Sequence, residues 1–444
     1  MNLTYLQSSA VMISNNNTKL LCDPWLVDGE LYGSWSHYPP STFKPEEFND
    51  VDFIYLSHIH QDHFSQKTLS QMNKDIPIVI YNFESKSLKK GIEHLGFKVI
   101  ELDHNKRTKL KDDFHITILS ADNCNPELCN KYFGCTPLEK KYGLTSIDTM
   151  SVIDDSDNVV VNTNDCPYDL SYQASSEIMK NFDKIDLLLV GYTSASAFPQ
   201  CFTMNDDKKK KVIQEMKYSF LEKTLKYVQL FNPSYFLPFA GRYTLSGKLS
   251  TLNAFKGSST LEEAFDYFTS SKNLDEKNRC ILLNSMSSFD IESGISSKPY
   301  SRIDLIEQDE YIKNFLSKMK LDYEYDLEPT DEELEHLIPK AFQRFENKRK
   351  DIGFNSDTMI LIKINNEKFL SISCNGQGYK IIKKIDNVER FVLLTLDKRL
   401  LLWLLKGPRF AYWGTAENGS HIIFERNPDI YERGLYYSLS FFYS

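Results

Sequence analysis

Three histidines and one aspartate lie within six consecutive residues, and these residue types at this spacing are typical of a metal site. The cluster consists of His58, His60, Asp62 and His63, and the apolar run 51–56 before it has the pattern of a buried strand. Side chains two positions apart point the same way at a strand end, so His58 and His60 can present imidazoles to one ion. Asp62 and His63, in the turn that follows, can face a second ion.

Imidazole and carboxylate ligands suit zinc, iron or manganese. A paired site of this type can hold a nucleophilic water or polarise an oxygen atom. The alternative is a solvated histidine-rich turn without a metal. The chain has 9 histidines in 444 residues, so the grouping of three of them directly behind a buried-strand pattern favours the metal site.

Strand and helix patterns alternate around this cluster, as in an αβ domain. They predict hairpin strands over 3–22, a strand over 76–81, a helix over 85–95 and a strand over 97–102.

Two later strands end on carboxylates. The strand predicted over 115–122 ends on Asp122, with His115 at its opposite end, where we expect an ordinary, partly exposed residue. A hairpin predicted over 149–162 is followed by Asp165, and no helix begins there that this aspartate could cap. Asp165 is therefore a candidate functional residue.

The sequence pattern changes after residue 255. The longest helical pattern, 205–231, stops before Pro233, and residues 256–345 read as further helices with an acidic, exposed linker. Strand patterns with one short helix follow to the end of the chain. We expect three parts: a metal-binding domain over 1–255, a helical extension and linker over 256–345, and a small α+β domain over 346–444.

Composition and charge exclude several classes of protein. A net charge of −9 gives no sign of a general nucleic-acid binder. No apolar stretch reaches the roughly 20 residues of a membrane helix, and the N-terminal residues lack the features of a secretory signal. We therefore expect a cytoplasmic protein without membrane or nucleic-acid partners. The 8 cysteines in so long a chain form no disulfide framework, and we expect reduced thiols.

Two further features could contact a ligand. Arg242 follows a strand predicted over 235–239, and its guanidinium suits phosphate or carboxylate. A surface arginine that serves solubility is the alternative. Cys124, Cys129 and Cys135 lie close to the predicted site, but their spacing matches no Cys-x-x-Cys motif, so we expect no separate thiolate site.

The histidine–aspartate cluster behind a buried strand, with Asp165 at a later strand end, resembles the metallo-β-lactamase superfamily. The resemblance implies an α+β fold: an αββα sandwich with one or two metal ions between the sheets, followed here by a C-terminal helical and small α+β module. A series of further motifs resembles the CMP-N-acetylneuraminate hydroxylase branch. These motifs are Cys22-Asp23-Pro24-Trp25-Leu26, Asn162-Thr163-Asn164-Asp165-Cys166, Ala195-Ser196-Ala197-Phe198-Pro199, Leu237-Pro238-Phe239-Ala240-Gly241 and Arg426-Asn427-Pro428-Asp429-Ile430-Tyr431.

The resemblance implies metal-ligand roles for the members of the cluster, His58, His60, Asp62 and His63, and for Asp165 as the bridging ligand. It also implies catalytic roles for Asp62 and Asp165, with Asp62 orienting a metal-bound water. Where the superfamily supplies a third histidine for the first metal, this chain offers Asp122 or Asn125. Asp122 is the sixth expected ligand, and Arg242 is the expected substrate contact.

The resemblance implies an oxygenase or hydroxylase, with one or two Fe or Zn ions, that acts on an anionic, nucleotide-activated sugar-like substrate. Two histidines and Asp122 would form a set that suits non-haem Fe(II). The alternative is a metal-dependent hydrolase, a phosphodiesterase or lactonase. The Cys-x-His and Cys-x-x-His ligands of a Rieske cluster occur nowhere in this sequence. We therefore expect no Rieske cluster, and electrons that come from an external electron-donor protein or from the substrate.

A non-catalytic binding module is a further alternative. The complete ligand set argues against it, because unpaired ionisable groups in a cleft are costly without a metal.

Overall fold

The computed structural model describes residues 1–121, 148–275, 278–385 and 388–444. Two β-sheets pack face to face in the first part of the chain, and a further sheet forms in its last part. The strands of the first sheet are β1 (Asn2–Gln7), β2 (Ala10–Ser14), β3 (Lys19–Cys22), β5 (Phe53–Leu56), β6 (Ile78–Tyr81), β7 (Val99–Leu102), β16 (Ser287–Asp290) and β17 (Ile295–Ser296).

The first sheet has the order β17-β16-β1-β2-β3-β5-β6-β7. Strands β3, β5, β6 and β7 are parallel to one another, and the others pair antiparallel. The inner parallel strands β5 and β6 are short apolar runs because both faces of the sheet are covered. The C-terminal end of β5 therefore opens at an edge of the sandwich, and the histidine cluster follows directly.

The second sheet has the order β15-β13-β12-β11-β10-β9-β8, and its strands β11, β12 and β13 are parallel. A separate two-stranded sheet pairs β4 (Trp35–Ser36) with β14 (Thr244–Leu245). The strands of the second sheet are β8 (Thr108–Lys111), β9 (Phe114–Ser120), β10 (Thr149–Asp154), β11 (Val159–Asn162), β12 (Leu187–Gly191), β13 (Tyr235–Phe239) and β15 (Arg279–Cys280).

Helices cover the outer faces of both sheets. Those of the sandwich and of the segment after it are α1 (Glu30–Gly33), α2 (Gln66–Leu69), α3 (Ser87–His94), α4 (Tyr172–Asn181), α5 (Asp206–Phe231), α6 (Leu261–Ser270) and α7 (Leu305–Asn314). Helices α2 and α3 pack on the first sheet, and α4, α5 and α6 pack on the second. Apolar side chains of both sheets, such as Tyr55, Val79, Ile116 and Leu189, fill the space between them. The architecture is the αββα sandwich that the sequence predicts.

Local sequence explains the bounds of α5, the longest of these helices. The Asn205 side chain accepts a hydrogen bond from the Lys208 amide at 2.8 Å and caps the first turn. Asn232 adopts a left-handed conformation at the other end, and Pro233 follows it. This helix agrees with the pattern predicted over 205–231.

The last part of the chain is a five-stranded sheet with helices on it, in the order β20-β19-β18-β21-β22. Its core also includes Ala197, Cys201 and Phe202 from the sandwich, so the module packs tightly against the first domain. Its elements are α8 (Asp331–Asp351), β18 (Met359–Asn365), β19 (Lys368–Ser373), β20 (Tyr379–Ile382), β21 (Phe391–Thr395), α9 (Lys398–Lys406), α10 (Trp413–Asn418), β22 (Ile423–Asn427) and α11 (Arg433–Leu439).

The domain boundary expected at residue 255 is too early. Strand β15 pairs with β13 of the second sheet, and β16 pairs with β1 of the first. Residues 279–296 therefore complete the sandwich, which the helical patterns of the segment concealed. Among the described residues, no helix combines the length and apolar character that crossing a membrane requires.

Candidate metal centre

The histidine cluster lies where strand ends from both sheets meet at one edge of the sandwich. His58 follows β5 by two residues, and Asp165 follows β11 by three. Asp148 immediately precedes β10, which runs antiparallel to β11, so it lies at the same edge. Two sheets thus deliver histidines and carboxylates to one place, although the residues are about a hundred positions apart in the chain.

These side chains form two groups that share one carboxylate. Ligand atoms of His58, His60 and Asp165 all lie within 4.8 Å of one another. The same holds for Asp62, His63 and Asp165. The structure therefore brings together five of the residues expected as ligands, with Asp165 in the bridging position. Two ions a few Å apart fit this arrangement.

The nitrogen atoms of the first group are spaced for a common ion. His58 Nε2 lies 2.9 Å from His60 Nδ1 and 3.7 Å from Asp165 Oδ2. Two nitrogens bound to one metal at about 2.0–2.1 Å are separated by roughly 3 Å, so this spacing needs little adjustment.

Hydrogen bonds from the surrounding residues orient the buried histidines. Asp23 Oδ2 is 2.8 Å from His63 Nδ1 and accepts a hydrogen bond from Ser57 Oγ at 2.6 Å. Ser57 Oγ is also 2.9 Å from His58 Nδ1. These contacts use the Nδ1 atom of each ring and leave Nε2 toward the shared Asp165.

His63 Nε2 provides a test of whether the residues fit a metal. This atom is buried, lies 3.3 Å from Asp165 Oδ1, and has no hydrogen bond of good geometry within the described residues. A buried polar atom without a hydrogen bond is costly, and a metal ion at this position would satisfy it. The donor set of imidazole and carboxylate is also the set that zinc and iron prefer.

The protonation of the cluster reflects its crowding. Burial lowers the pKa of His58, and the neighbouring His63 and His60 lower it further. Burial alone would raise the pKa of Asp165, but His63, His58 and His60 hold it well below its usual range. Burial would lower the pKa of His63, but Asp165, Asp23 and Asp62 raise it well above its usual range. Because neutral imidazole and ionised carboxylate are the forms that bind metals, a bound ion would displace the proton of His63.

Asp148 is a further carboxylate of this site, and sequence reasoning missed it. Its Oδ1 lies 3.8 Å from His58 Nε2. Burial and then the charge of Asp165 raise its pKa to about 7. A cation between these two carboxylates would remove the repulsion and restore the ionised form of Asp148.

The family comparison agrees with this geometry. Residues 2–122 match the family model of a β-lactamase superfamily domain. This part of the chain is therefore similar to that superfamily domain. The matched residues end before Asp148 and Asp165, so the family model does not cover the second half of the site.

Curated relatives match about half of this chain. The cytidine monophosphate-N-acetylneuraminic acid hydroxylase of Xenopus laevis is 24% identical over 260 residues, which are 54% of this chain and 38% of that protein. A protein of Mycolicibacterium smegmatis whose name refers to a Rieske 2Fe-2S iron-sulfur protein is 25% identical over 248 residues, or 54% of this chain and 43% of that protein. The chain therefore matches less than half the length of these relatives.

Solved structures that align with this chain include a hydrolase and a hydroxylase. An isothiocyanate hydrolase from Delia radicum gut bacteria aligns with a TM-score of 0.43 and 13% identity, over 67% of this chain and 100% of that one. CmlA, a diiron β-hydroxylase from Streptomyces venezuelae, aligns with a TM-score of 0.39 and 15% identity, over 63% of this chain and 52% of that one.

The remaining candidates from the sequence either lie outside the described residues or lie away from the ligands. Asp122, Asn125, Cys124, Cys129 and Cys135 lie outside the described residues. His115 is partly exposed at the far end of β9, where it lies 3.1 Å from Arg107 Nη2.

Arg242, the expected substrate contact, does not line the metal cleft. Ala240 and Gly241 before it have φ values of 65° and 68°, and this left-handed pair turns the chain away after β13. Arg242 therefore faces a neighbouring cavity, and the two cavities share Thr193 and Gly241 in their walls.

The metal cleft has a volume of about 820 Å³, which is enough for a substrate the size of a sugar derivative. His60, Asp62 and Asp165 line one side of it. The C-terminal module supplies another side through Tyr412, Gly414, Thr415 and Asn418, on and beside α10. A molecule bound in the cleft would therefore lie against residues of both domains.

Proposed function

We propose that this protein is a metal-dependent oxygenase that hydroxylates an anionic, nucleotide-activated sugar-like substrate, with iron as its metal. The observation that carries the proposal is the first ligand group, in which His58 and His60 are joined by the carboxylate of Asp165, with Asp148 beside them. Two histidines with carboxylate ligands suit non-haem iron with open positions. Iron in such a site supplies the activation of O₂.

The residues of the chain have distinct tasks in this proposal. His58, His60, His63, Asp62 and Asp165 hold the metal, and Asp23 and Ser57 fix the histidine rings. Residues of both domains form the walls of the cleft in which substrate would bind. Because hydroxylation by O₂ also yields one water, it consumes two electrons, and we assign these to a separate electron-donor protein.

The similarity to the CMP-N-acetylneuraminic acid hydroxylases supports an oxygenase and suggests the substrate class. The aligned part of those proteins is less than half of their length, so the substrate and the electron donor are proposals for this chain.

Reconstitution without oxygen tests the reaction. Purified protein is loaded with Fe(II) under nitrogen, and O₂ and a reductant are then added. O₂ uptake is followed with and without CMP-N-acetylneuraminate as the substrate. We expect uptake that depends on substrate and a hydroxylated product by mass spectrometry. The His58→Ala variant, treated in the same way, is the matched control and should consume no substrate-dependent O₂.

The alternative is a metal-dependent hydrolase, and the second ligand group favours it. Asp62 is buried, belongs to the same group as His63 and Asp165, and can orient a metal-bound water. Zinc-loaded protein that cleaves a phosphodiester or lactone without O₂, together with an iron form that consumes none, would replace the oxygenase by the hydrolase.

A further inference from the structure

The cavity that Arg242 faces is as large as the metal cleft. Its volume is about 860 Å³, within the range of small-molecule sites. Its walls include the turn between β1 and β2, the segment after β13, residues 250–256 and the start of α6. We refer to it as the Arg242 cavity.

Two partly buried cations face this cavity without an ion pair among the described residues. Arg242 makes no hydrogen bond or salt bridge there, and its charged or ionisable neighbours are Tyr192, Tyr5, Tyr300 and Glu262. Lys256 donates a hydrogen bond to the backbone oxygen of Tyr243 and lies 4.2 Å from the centre of its ring. A guanidinium and an ammonium held together in a partly buried site repel each other unless an anion lies between them.

Glu262, the carboxylate whose charge acts on Arg242 among the described residues, is already engaged. Glu262 Oε1 accepts hydrogen bonds from the Tyr300 hydroxyl at 2.7 Å and from the Ile303 amide at 3.1 Å. Burial and then the positive charge of Arg242 lower the pKa of Lys256 to about 7. Glu262 therefore compensates only part of the positive charge.

Hydroxyl groups around the cavity are also available. Within the described residues, the buried side-chain oxygens of Ser259 and Ser285, which both line it, have no hydrogen-bond partner. The buried hydroxyl of Tyr192, next to Arg242, has none either. Cations together with unsatisfied hydroxyls are the donors that a phosphate group requires, since it offers several acceptor oxygens.

The Arg242 cavity adjoins the metal cleft. Thr193 and Gly241 line both, and a Cβ atom at Gly241 would lie 2.9 Å from Thr193 Cγ2, so these two residues pack closely where the cavities meet. A ligand whose ends occupy both cavities would therefore lie against these two residues.

We propose that the Arg242 cavity binds the phosphate group of a phosphorylated ligand. This inference rests on the proposed function: the group is the phosphate of the activated substrate, and the other end of that substrate lies at the metal. Arg242 and Lys256 bind the phosphate oxygens, and Ser259 and Ser285 donate to them.

Calorimetric titration with cytidine 5′-monophosphate tests the site without any turnover. The titration uses the metal-loaded protein and the His58→Ala variant. We expect binding to both, and a loss of about ten-fold or more in affinity in the Arg242→Gln and Lys256→Gln variants. Lys211→Gln is the matched control, because this exposed lysine of α5 does not line the cavity.

Further measurements identify the chemistry of the ligand and control for misfolded variants. Arg242→Lys keeps the charge but loses the bidentate geometry, and we expect an intermediate affinity. Inorganic phosphate should compete with the nucleotide, whereas N-acetylneuraminate, a carboxylate, should not. Wild-type protein that binds no nucleotide at millimolar concentration, or variants of unchanged affinity, would overturn the inference. Binding without O₂ uptake would reject the oxygenase and keep this site.

Discussion

Asp23 Oδ2 lies 2.8 Å from His63 Nδ1, and both side chains are fully buried. Asp23 follows β3, whereas His63 belongs to the cluster behind β5, so the contact joins the ends of two neighbouring parallel strands. The carboxylate fixes the orientation of the ring and increases the electron density on Nε2, the atom that faces Asp165.

Replacing Asp23 by asparagine should weaken metal binding by about 10–100-fold, because the ring loses its negatively charged partner. Metal content after dialysis and calorimetric titration measure the effect. Asp28→Asn is the matched control: Asp28 contacts Nδ1 of His37 at 2.8 Å, and His37 belongs to neither ligand group. Equal metal affinity in the two variants would remove Asp23 from the site.

Asp165→Ala should remove metal from both groups, because Asp165 is common to them. Asp157→Ala should leave the metal content unchanged, since Asp157 is exposed in the turn at the far end of the same hairpin. Elemental analysis of the two purified variants tests this. Retention of one full equivalent of metal by Asp165→Ala would show that the carboxylate does not bridge.

Asp148→Ala should lower affinity for the metal held by His58 and His60, because Asp148 lies beside His58. Asp122→Ala is the parallel variant, since the sequence predicts Asp122 for the same role. Metal stoichiometry and affinity in the two variants identify which carboxylate completes the first group. If neither substitution changes them, Asp165 is sufficient as the carboxylate of that group.

Asn418→Trp should obstruct the metal cleft from the side of the C-terminal module. Asn418 lines the cleft and is half-buried, so an indole there would occupy space that substrate needs. We expect kcat/KM to fall by about ten-fold or more while metal content stays at the wild-type value. Unchanged kinetics would show that substrate does not pass α10.

Asp397 should give the C-terminal module a pH-dependent stability. It caps α9, accepting from the Arg399 amide at 2.9 Å, and also binds the Arg399 guanidinium at 2.7 Å and Lys248. Burial would raise its pKa, but these partners hold it well below the ordinary value of 3.8. The stabilisation is therefore complete above about pH 4 and is lost as the pH falls toward the folded-state pKa.

Urea unfolding of wild type and Asp397→Asn measures this contribution. We expect the free energy of unfolding to differ by about 1–2 kcal/mol at pH 7, and the difference to shrink below pH 4. Because asparagine can also cap the helix, a difference that does not depend on pH would show that the charge of Asp397 does not cause it.

Local sequence was enough for the ligands near β5, because His58, His60, Asp62 and His63 follow one strand and their spacing fixes which way they face. Local sequence was not enough to predict that Asp148 lies at this site. Its position depends on the register of β10 against β9 and β11, where Thr149 is opposite Ser120 and Ser151 is opposite Asn162. Such register is set by tertiary packing.

The cavity that Arg242 faces depends on the backbone conformation after β13. A strand pattern predicts where β13 ends, but the left-handed conformation of Ala240, a residue that seldom adopts it, has no sequence signature. The continuation of the sandwich beyond residue 255 was not predicted for a related reason. Strands β15 and β17 are two residues long, which is too short to show an alternating pattern.

The helix α10 of the C-terminal module forms one wall of a cleft whose ligands all come from the sandwich. Selectivity and reactivity can therefore change independently in evolution. Substitutions in and beside α10 can admit a new substrate while the chemistry of the metal is preserved, and a laboratory library confined to these wall positions would sample new substrates at little risk to the reactive centre.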